Sequence, residues 1–311
     1  MKSYQDMRDA VFEEIFEIAK RDKNVIILTA DQGAQTFEKF KNQIPEQLIN
    51  VGVAEQNMIG VASGMAKENF KVFVYAIIPF VTLRCLEQIK IDICCNNLPV
   101  NIVGIGSGYS YANDGPTHHA TNDIGIMRTL PNLEIWNPSD SNSTSQIIPY
   151  LVKSKSPAYL RIDRGKVPEI YSNNINLMEG FHILKECKNT TIISTGNMVD
   201  LSLKISTDLE KIGIPNGVID CYRIKPLNKE LLIKTLQKTK NIITIEENSI
   251  IGGLGSSISE ILVDSFSNKK LFRYGTPDKF RWDLGGREIL HKIDKLDQKS
   301  IFLDLKNKLN Q

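Results

Sequence analysis

Residues 50–60 have the sequence Asn-Val-Gly-Val-Ala-Glu-Gln-Asn-Met-Ile-Gly, in which a short apolar stretch leads directly to the carboxylate of Glu55. Beyond it, apolar residues recur at helical spacing and predict an amphipathic helix to about Glu68: Met58, Ile59, Ala62 and Met65. Acidic residues favour the first turn of a helix because its exposed N–H groups and its dipole stabilise negative charge. Position alone therefore leaves two interpretations of Glu55, a helix-capping residue or a functional carboxylate.

The alternation of apolar strand and amphipathic helix continues on both sides of this stretch and is typical of βα units in a parallel sheet. On the N-terminal side, a helix is predicted from Met7 to Ala19, where Ser3 and Asp6 resemble a capping box, and a buried strand follows at 25–29. On the C-terminal side, the same patterns predict a helix near 83–95 and four strands, at 71–76, 100–105, 133–136 and 158–162.

An Asn-rich polar stretch interrupts this pattern after Pro168 and favours an interdomain linker at 169–180. A second series follows, with strands predicted at 191–194, 217–220 and 241–245 and helices near 198–212, 229–239 and 255–265. We therefore predict an α/β protein of two domains, each a mainly parallel sheet flanked by helices. The first domain covers 1–168 and the second covers 181–311.

The bulk properties exclude several classes of protein. The 311 residues carry 38 Lys and Arg against 36 Asp and Glu, so the charge favours neither nucleic acid nor an anionic membrane as a partner. The longest apolar run, 72–83, contains Pro79 and is far shorter than the roughly 20 residues that cross a bilayer. The N-terminus lacks the apolar core of a signal peptide, and the five cysteines form no CxxC pair. These features predict a cytoplasmic chain.

A second candidate site lies at 104–119, Gly-Ile-Gly-Ser-Gly-Tyr-Ser-Tyr-Ala-Asn-Asp-Gly-Pro-Thr-His-His, which follows a predicted strand and holds two of the four histidines. Open parallel sheets bind ligands at the carboxyl ends of their strands, and histidine moves protons near neutral pH. The alternative is a surface loop whose histidines are incidental. Adjacent histidines cannot easily ligate one ion together, so no metal site is predicted in this chain.

Together these stretches resemble the transketolase family. The segments Gly-Val-Ala-Glu-Gln-Asn-Met and Asp-Gly-Pro-Thr-His match its pyrimidine-binding domain, and residues 246–255, Glu-Glu-Asn-Ser-Ile-Ile-Gly-Gly-Leu-Gly, resemble the C-terminal domain that transketolase shares with deoxyxylulose-phosphate synthase. The resemblance covers nearly the whole chain. It implies dependence on thiamine diphosphate and transfer of a two-carbon ketol unit between sugars.

One family motif is missing, and its absence shapes the prediction. Relatives bind the diphosphate and a divalent cation (Mg or Ca) through Gly-Asp-Gly and a later Asn-Asn on an N-terminal domain, and no Gly-Asp-Gly occurs here. The resemblance therefore implies a separate N-terminal transketolase subunit that holds the diphosphate and most of the metal shell. We expect the two subunits to form a heterotetramer, and this chain to be inactive alone.

The resemblance also implies roles for residues that contact the cofactor. Glu55 matches the glutamate that hydrogen-bonds N1′ of the aminopyrimidine and so promotes loss of the C2 proton. Phe80 is the nearest candidate for the aromatic residue that packs on the pyrimidine. Asp31 matches a position near the active site at the dimer interface.

Five residues match substrate-binding positions. His118 matches the histidine that exchanges protons at the substrate carbonyl, Asp114 matches an aspartate that contacts a hydroxyl, and His119 stands where many relatives have Gln. Arg164 and Arg84 match arginines that bind the phosphate of a sugar, for which the forked guanidinium is well suited. A surface ion pair is the alternative for each arginine.

Three other functions remain open at this point. Arg84 and residues 246–253 also fit a deoxyxylulose-phosphate synthase, and the β subunit of a 2-oxo-acid dehydrogenase shares the domain order and an equivalent glutamate. A non-catalytic binding subunit is a third possibility, against which the intact Glu55 argues. Residues 252–255, Gly-Gly-Leu-Gly, lack the spacing of a dinucleotide fingerprint and are interpreted as helix-start packing.

Overall fold

The computed structural model describes residues 4–309, with side chains from residue 6 onward. The chain forms two compact units. The first contains the residues up to Ser107 together with Ile126–Ile175, and the second contains Gly108–Gly125 together with the residues from Asn176 onward. The predicted linker is thus divided between the units at residue 175.

The described helices include five that begin within two residues of a predicted start and others that the sequence patterns did not indicate. They are, in chain order, α1 (Met7–Ala19), α2 (Phe37–Gln43), α3 (Glu55–Lys67), α4 (Ile78–Val81), α5 (Leu86–Gln88), α6 (Asp123–Met127), α7 (Ser141–Lys153), α8 (Met198–Lys211), α9 (Lys229–Thr235), α10 (Leu254–Asp264), α11 (Arg287–Ile293) and α12 (Gln298–Leu309). Asp6 caps α1 by accepting a hydrogen bond from the Arg8 amide at 2.9 Å, whereas Ser3 lies outside the described residues.

The strands include every predicted one and others that the sequence patterns did not indicate. They are β1 (Tyr4–Asp6), β2 (Val25–Thr29), β3 (Leu48–Asn50), β4 (Lys71–Ile77), β5 (Val100–Ile105), β6 (Glu134–Trp136), β7 (Ala158–Ile162), β8 (Lys166–Pro168), β9 (His182–Lys185), β10 (Thr190–Ser194), β11 (Asn216–Asp220), β12 (Arg223–Lys225), β13 (Asn241–Ser249) and β14 (Lys270–Thr276).

In the first unit, the described strands pair in the order β6-β7-β5-β4-β2-β3, all parallel, and β1 pairs with β8 as a separate antiparallel ribbon. Central strands buried on both faces have no polar alternation, which is why β2, β5 and β7 are mostly apolar and fully buried, with one buried polar residue each in β5 (Asn101) and β7 (Arg161). Phe12 of α1 packs edge-on against Tyr75 of β4, with ring centroids 4.7 Å apart. Such aromatic contacts fix the helix layer to the sheet.

In the second unit, the strand order is β14-β13-β10-β11-β9, with β9 antiparallel and the other strands parallel. Apolar residues of β10, β13, α8 and α12 form its core, including Ile192, Ile243, Ile205 and Leu305. Both sheets are mainly parallel and helix-flanked, so the predicted fold class is confirmed.

Three predicted elements were wrong in extent. Helix α9 ends at Thr235, four residues before its predicted end at 239. The helix expected over 83–95 is interrupted, because only Leu86–Gln88 is α-helical and Ile89–Cys94 follows with wider i→i+5 hydrogen bonds such as Cys95 N to Lys90 O. Strand β13 continues four residues past its predicted end at Ile245. The extension is polar in sequence yet buried, and its side chains find hydrogen-bond partners inside the second unit.

Candidate active site

Glu55 is the first residue of α3, five residues after β3 ends at Asn50. It is only 3% exposed, and its Oε2 accepts a hydrogen bond from Arg84 Nη1 at 2.7 Å. The N-cap of α3 is Ala54, which has no side chain able to cap the helix. Among the described residues, none donates a hydrogen bond to Oε1, the other oxygen of this buried carboxylate.

Arg84 lies in the turn between α4 and α5 and is held from two sides. Its guanidinium carbon is 4.3 Å from the centroid of the Phe80 ring, a cation–π distance, while its backbone oxygen accepts from Gln56 Nε2 at 3.0 Å. The side chain is 43% exposed, so only the Glu55 end of this ion pair is buried. The sequence predicted Glu55, Phe80 and Arg84 separately, and the first unit brings all three together.

The Cys85 side chain is fully buried beside this group, and its Sγ lies 3.2 Å from Phe80 O. Burial, with a smaller contribution from the charge of Glu55, raises the pKa of Cys85 to about 12. All five cysteines are free thiols, and Cys95 is the exposed one. Cys85 is therefore a buried packing residue.

Asp31 follows β2 and is connected to the turn before Glu55 through Asn50. The Asp31 and Gly52 amides both donate to Asn50 Oδ1 at 3.0 Å, and Asn50 Nδ2 donates to Asp31 Oδ1 at 3.3 Å. Asp31 has φ 60°, a left-handed conformation that non-glycine residues adopt at a cost. Asn50 was not predicted as a site residue, because its partner Asp31 lies 19 residues away in the chain.

Asp114, His118 and His119 belong to the second unit, in a segment that we call the His118 loop (residues 108–120). Its ends are paired, since the Gly108 amide donates to Ala120 O at 3.0 Å and the Ala120 amide donates to Gly108 O at 2.9 Å. A 3-10 turn spans Ala112–Thr117 and contains Gly115 at φ 72°. The loop is therefore a closed and folded structure.

The two histidines of the loop have different environments. The His118 ring is partly exposed, and its Nδ1 lies 2.9 Å from Thr117 Oγ1. His119 is 6% exposed, its Nε2 lies 3.1 Å from Ala112 O, and its ring packs edge-on against Tyr109 at 5.0 Å. Asp114 is exposed. His118 and Asp114 are thus the members of this set most open to a ligand.

Arg164 is an exposed residue of the turn between β7 and β8 in the first unit. Its backbone amide donates to Oδ1 of Asp163 at 2.7 Å, and Asp163 is itself 2% exposed. The buried aspartate fixes the backbone of the turn, and the guanidinium lies at the surface.

The Glu246 side chain settles the interpretation of the glycine-rich run at 252–255. Its oxygens accept from the Leu254 and Gly255 amides at 2.7 and 2.8 Å, which are the first N–H groups of α10. Because these donors are already taken, this helix start is a packing feature, as predicted.

Among the residues that the structure describes, no three His, Cys, Asp or Glu side chains are grouped closely enough to hold a metal ion. None of the described helices is long and apolar enough to span a membrane.

Comparison with known proteins identifies the class. The profile described as "Transketolase, pyrimidine binding domain" matches residues 3–169, and that described as "Transketolase, C-terminal domain" matches residues 180–280. The chain therefore belongs to the transketolase family of thiamine diphosphate-dependent enzymes, and the resemblance based on residues 50–60, 104–119 and 246–255 is confirmed.

Individual relatives narrow the class to split enzymes. The chain is 30% identical over 312 residues to an apulose-4-phosphate transketolase subunit of Actinobacillus succinogenes, covering 100% of each chain. A solved structure described as a split gene transketolase, inactive beta4 tetramer, has a TM-score of 0.88 at 29% identity and covers 98% of both chains. The 1-deoxy-D-xylulose-5-phosphate synthase of Caldanaerobacter subterraneus is 30% identical over 299 residues, which is 94% of this chain but 47% of that enzyme. Over its length, this chain corresponds to one subunit of a split transketolase, the subunit with the pyrimidine-binding and C-terminal domains.

Proposed function

We propose that this chain is the C-terminal subunit of a split transketolase that transfers a two-carbon ketol unit between phosphorylated sugars. The observation that carries the proposal is Glu55, a buried carboxylate with one oxygen on Arg84 and the other open. The family match over both domains supplies the context.

The residues around Glu55 fit an aminopyrimidine ring. Oε1 is a hydrogen-bonding atom without a partner in the described chain, and the aromatic ring of Phe80 is close to the same arginine. A carboxyl group of this kind can hydrogen-bond a protonatable ring nitrogen, and an aromatic face can pack on a flat heterocycle. We propose Glu55, Phe80 and Asp31 as the residues that this chain contributes to cofactor binding.

Bound thiamine diphosphate would supply the nucleophilic carbon and the electron sink that breaking a carbon–carbon bond next to a ketose carbonyl requires. Glu55 would share a proton with the ring nitrogen N1′ through Oε1, while Arg84 fixes the carboxyl group through Oε2. Burial supports this role, because water would otherwise compete for the same oxygen.

His118 would give and take the proton of the substrate carbonyl oxygen, and Asp114 would accept from a sugar hydroxyl. His119, almost fully buried against Tyr109, would form part of the pocket wall. Arg164 and Arg84 are proposed phosphate ligands. Arg164 is the stronger candidate, because Arg84 already contacts Glu55 and Phe80.

The proposal requires a second polypeptide. It would carry the Gly-Asp-Gly motif, the diphosphate and most of the ligands of a divalent cation, Mg or Ca. The full-length relative from Actinobacillus succinogenes is itself named as a transketolase subunit, which supports such a partner, and we propose a cytoplasmic heterotetramer. We further propose that 1–168 is the pyrimidine-binding domain, 169–180 the linker and 181–311 the C-terminal domain.

The test is reconstitution of this chain with the N-terminal transketolase subunit from the same organism. The chain alone, the partner alone and the mixture are assayed with thiamine diphosphate, Mg²⁺, a ketose phosphate donor and an aldose phosphate acceptor. Ketol transfer only in the mixture supports the proposal, whereas full activity of the chain alone contradicts it.

The same mixture separates the alternatives. Replacing the ketose donor by pyruvate tests the deoxyxylulose-phosphate synthase and 2-oxo-acid dehydrogenase alternatives, both of which consume a 2-oxo acid. Turnover of pyruvate in preference to the ketose would favour them. Binding of the partner with no turnover of either donor would favour a non-catalytic subunit.

A further inference from the structure

Glu247, near the end of β13, is the centre of a buried polar cluster that we call the Glu247 cluster (Asn197, Glu247, Arg287 and His291). Its carboxylate accepts from Arg287 Nε at 2.9 Å and from Asn197 Nδ2 at 2.9 Å, and it also contacts Arg287 Nη2 and His291 Nε2. The carboxylate is fully buried. Both of its oxygens are therefore occupied by donors of the second unit itself.

The charge state of Glu247 matches this environment. Burial alone would raise the pKa of the carboxyl group, but the Arg287 guanidinium and His291 lower it well below its usual range. A buried carboxylate with this many donors is a rigid anchor, because moving it would break its hydrogen bonds to Arg287 and Asn197 inside the second unit.

The His118 loop lies directly on this anchor. Gly108 begins the loop at φ 54°, and a Cβ built on it would overlap Oε2 of Glu247. Only glycine combines this backbone conformation with so close an approach. At the other end, Ser249 N donates to Thr121 O, so strand β13 holds the chain on both sides of the loop.

Tyr109 provides a second attachment point. It is 1% exposed, and its hydroxyl donates to Asp294 Oδ2 at 2.6 Å, while Arg281 Nε donates to Asp294 Oδ1 at 2.5 Å. The Tyr109 ring packs against both His119, at 5.0 Å, and His291, at 6.3 Å. It therefore connects His119, the neighbour of His118 in the loop, to His291 of the Glu247 cluster.

A third attachment lies beside Asp114. Oδ1 of Asn113 accepts from the amides of Gly285 and Gly286, both at 3.2 Å, just before α11 begins. Helix α11 contributes Arg287 and His291 to the cluster. The same short segment of the second unit thus holds the loop at its start and at its middle.

We propose that Tyr109, Glu247 and Asp294 are positioning residues, which act through the His118 loop to fix His118 and Asp114 for ketol transfer. The inference rests on the proposed function for its catalytic consequence, and on the hydrogen bonds above for the anchoring itself. It assigns the C-terminal domain a part in the reaction, although none of these three residues is proposed to touch the substrate.

The test compares Tyr109→Phe with Tyr274→Phe. Each substitution removes one tyrosine hydroxyl that donates to an aspartate, Asp294 at 2.6 Å or Asp304 at 2.7 Å, but only Tyr109 belongs to the loop. For each variant, amide hydrogen exchange is measured on the chain alone, and kcat and KM are measured on the complex with its partner. Glu247→Gln is measured in the same way as a second loop-directed variant.

For Tyr109→Phe we expect faster exchange confined to residues 108–120, a kcat about tenfold lower and a KM for the donor within about twofold of the unsubstituted complex. The two tyrosine variants should lower the melting temperature of the chain by similar amounts. Tyr274→Phe should nevertheless leave kcat and the amide exchange of the His118 loop unchanged.

Equal kcat losses in the two tyrosine variants, or unchanged loop exchange in both Tyr109→Phe and Glu247→Gln, would overturn the inference. If the unsubstituted complex transfers no ketol unit, the proposed function fails instead. The exchange measurement on the chain alone then still decides whether these residues hold the loop.

Discussion

Glu55 and Glu247 are both buried glutamates that pair with an arginine, yet their surroundings differ in one decisive respect. Among the described residues, Glu55 accepts through Oε2 alone, from an arginine that is 43% exposed, and Oε1 stays open. Glu247 has both oxygens occupied by donors that are themselves largely buried. An open oxygen suits exchange of a proton with a ligand, whereas a saturated carboxylate suits the fixing of backbone and side chains.

The largest expected difference between the two is catalytic. Glu55→Gln preserves size and hydrogen bonding but cannot share an acidic proton, so we expect kcat of the reconstituted complex to fall by about 10³-fold. Glu247→Gln should reduce kcat by only about tenfold, through the loop. Steady-state kinetics of the two variants side by side measure this contrast, and equal losses would remove the distinction between them.

Substitution of Glu247 should lower the free energy of unfolding more than substitution of Glu55 does, the reverse of the order expected for kcat. Glu247→Ala leaves Arg287 and His291 without their buried partner, and breaking a buried ion pair in this way costs about 3–5 kcal/mol of the free energy of unfolding. For Glu55→Ala we expect less than about 1 kcal/mol, because Arg84 can turn to solvent. Urea unfolding of the chain alone measures both values, and a larger loss for Glu55→Ala would contradict the comparison.

The free energy of unfolding should also depend on pH through Glu247. The pKa of Glu247 is lowered on folding, so its contribution to stability is complete above its unfolded-state pKa of about 4.3 and is lost as the pH falls through its folded-state pKa. Glu247→Gln removes this titration. Between about pH 5 and pH 3, the free energy of unfolding should therefore fall less steeply in Glu247→Gln than in the unsubstituted chain, and parallel profiles would refute the assignment.

The smallest predicted effect concerns substrate choice. Because Arg164 is exposed and proposed to bind a sugar phosphate, Arg164→Ala should raise KM for a phosphorylated donor about tenfold while leaving that for the free sugar unchanged. Lys166→Ala, at an exposed cation two residues further on at the start of β8, is the matched control. Equal KM changes for the phosphorylated and free sugars would count against a phosphate contact.

The sequence reveals the elements that depend on local patterns, but not those that depend on contacts between residues far apart in the chain. The buried strands β2, β5 and β7 were predicted at their observed ends, because a strand covered on both faces is mostly apolar along its whole length. The edge strands β9 and β14 were missed because they are short or only partly buried. Their pairing depends on neighbours that no local pattern specifies.

The functional residues also differ in whether a local motif identifies them. Glu55 and His118 stand in contiguous motifs, so both could be selected from the sequence. The Glu247 cluster could not, because Arg287 and His291 lie 40 and 44 residues from Glu247 and meet it only when α11 packs beside β13. Residues 246–248 are polar, which suggested that the strand ends before them. In the structure their side chains are buried and the strand continues through them.

The central claim, that Glu55 activates the cofactor, is tested most directly by exchange of the thiamine C2 proton with deuterium, followed by NMR in quenched samples of the reconstituted complex. Glu55→Gln should slow this exchange by orders of magnitude, whereas Glu247→Gln should leave it within about threefold of the unsubstituted complex. Unchanged exchange in Glu55→Gln, with cofactor bound, would contradict the account.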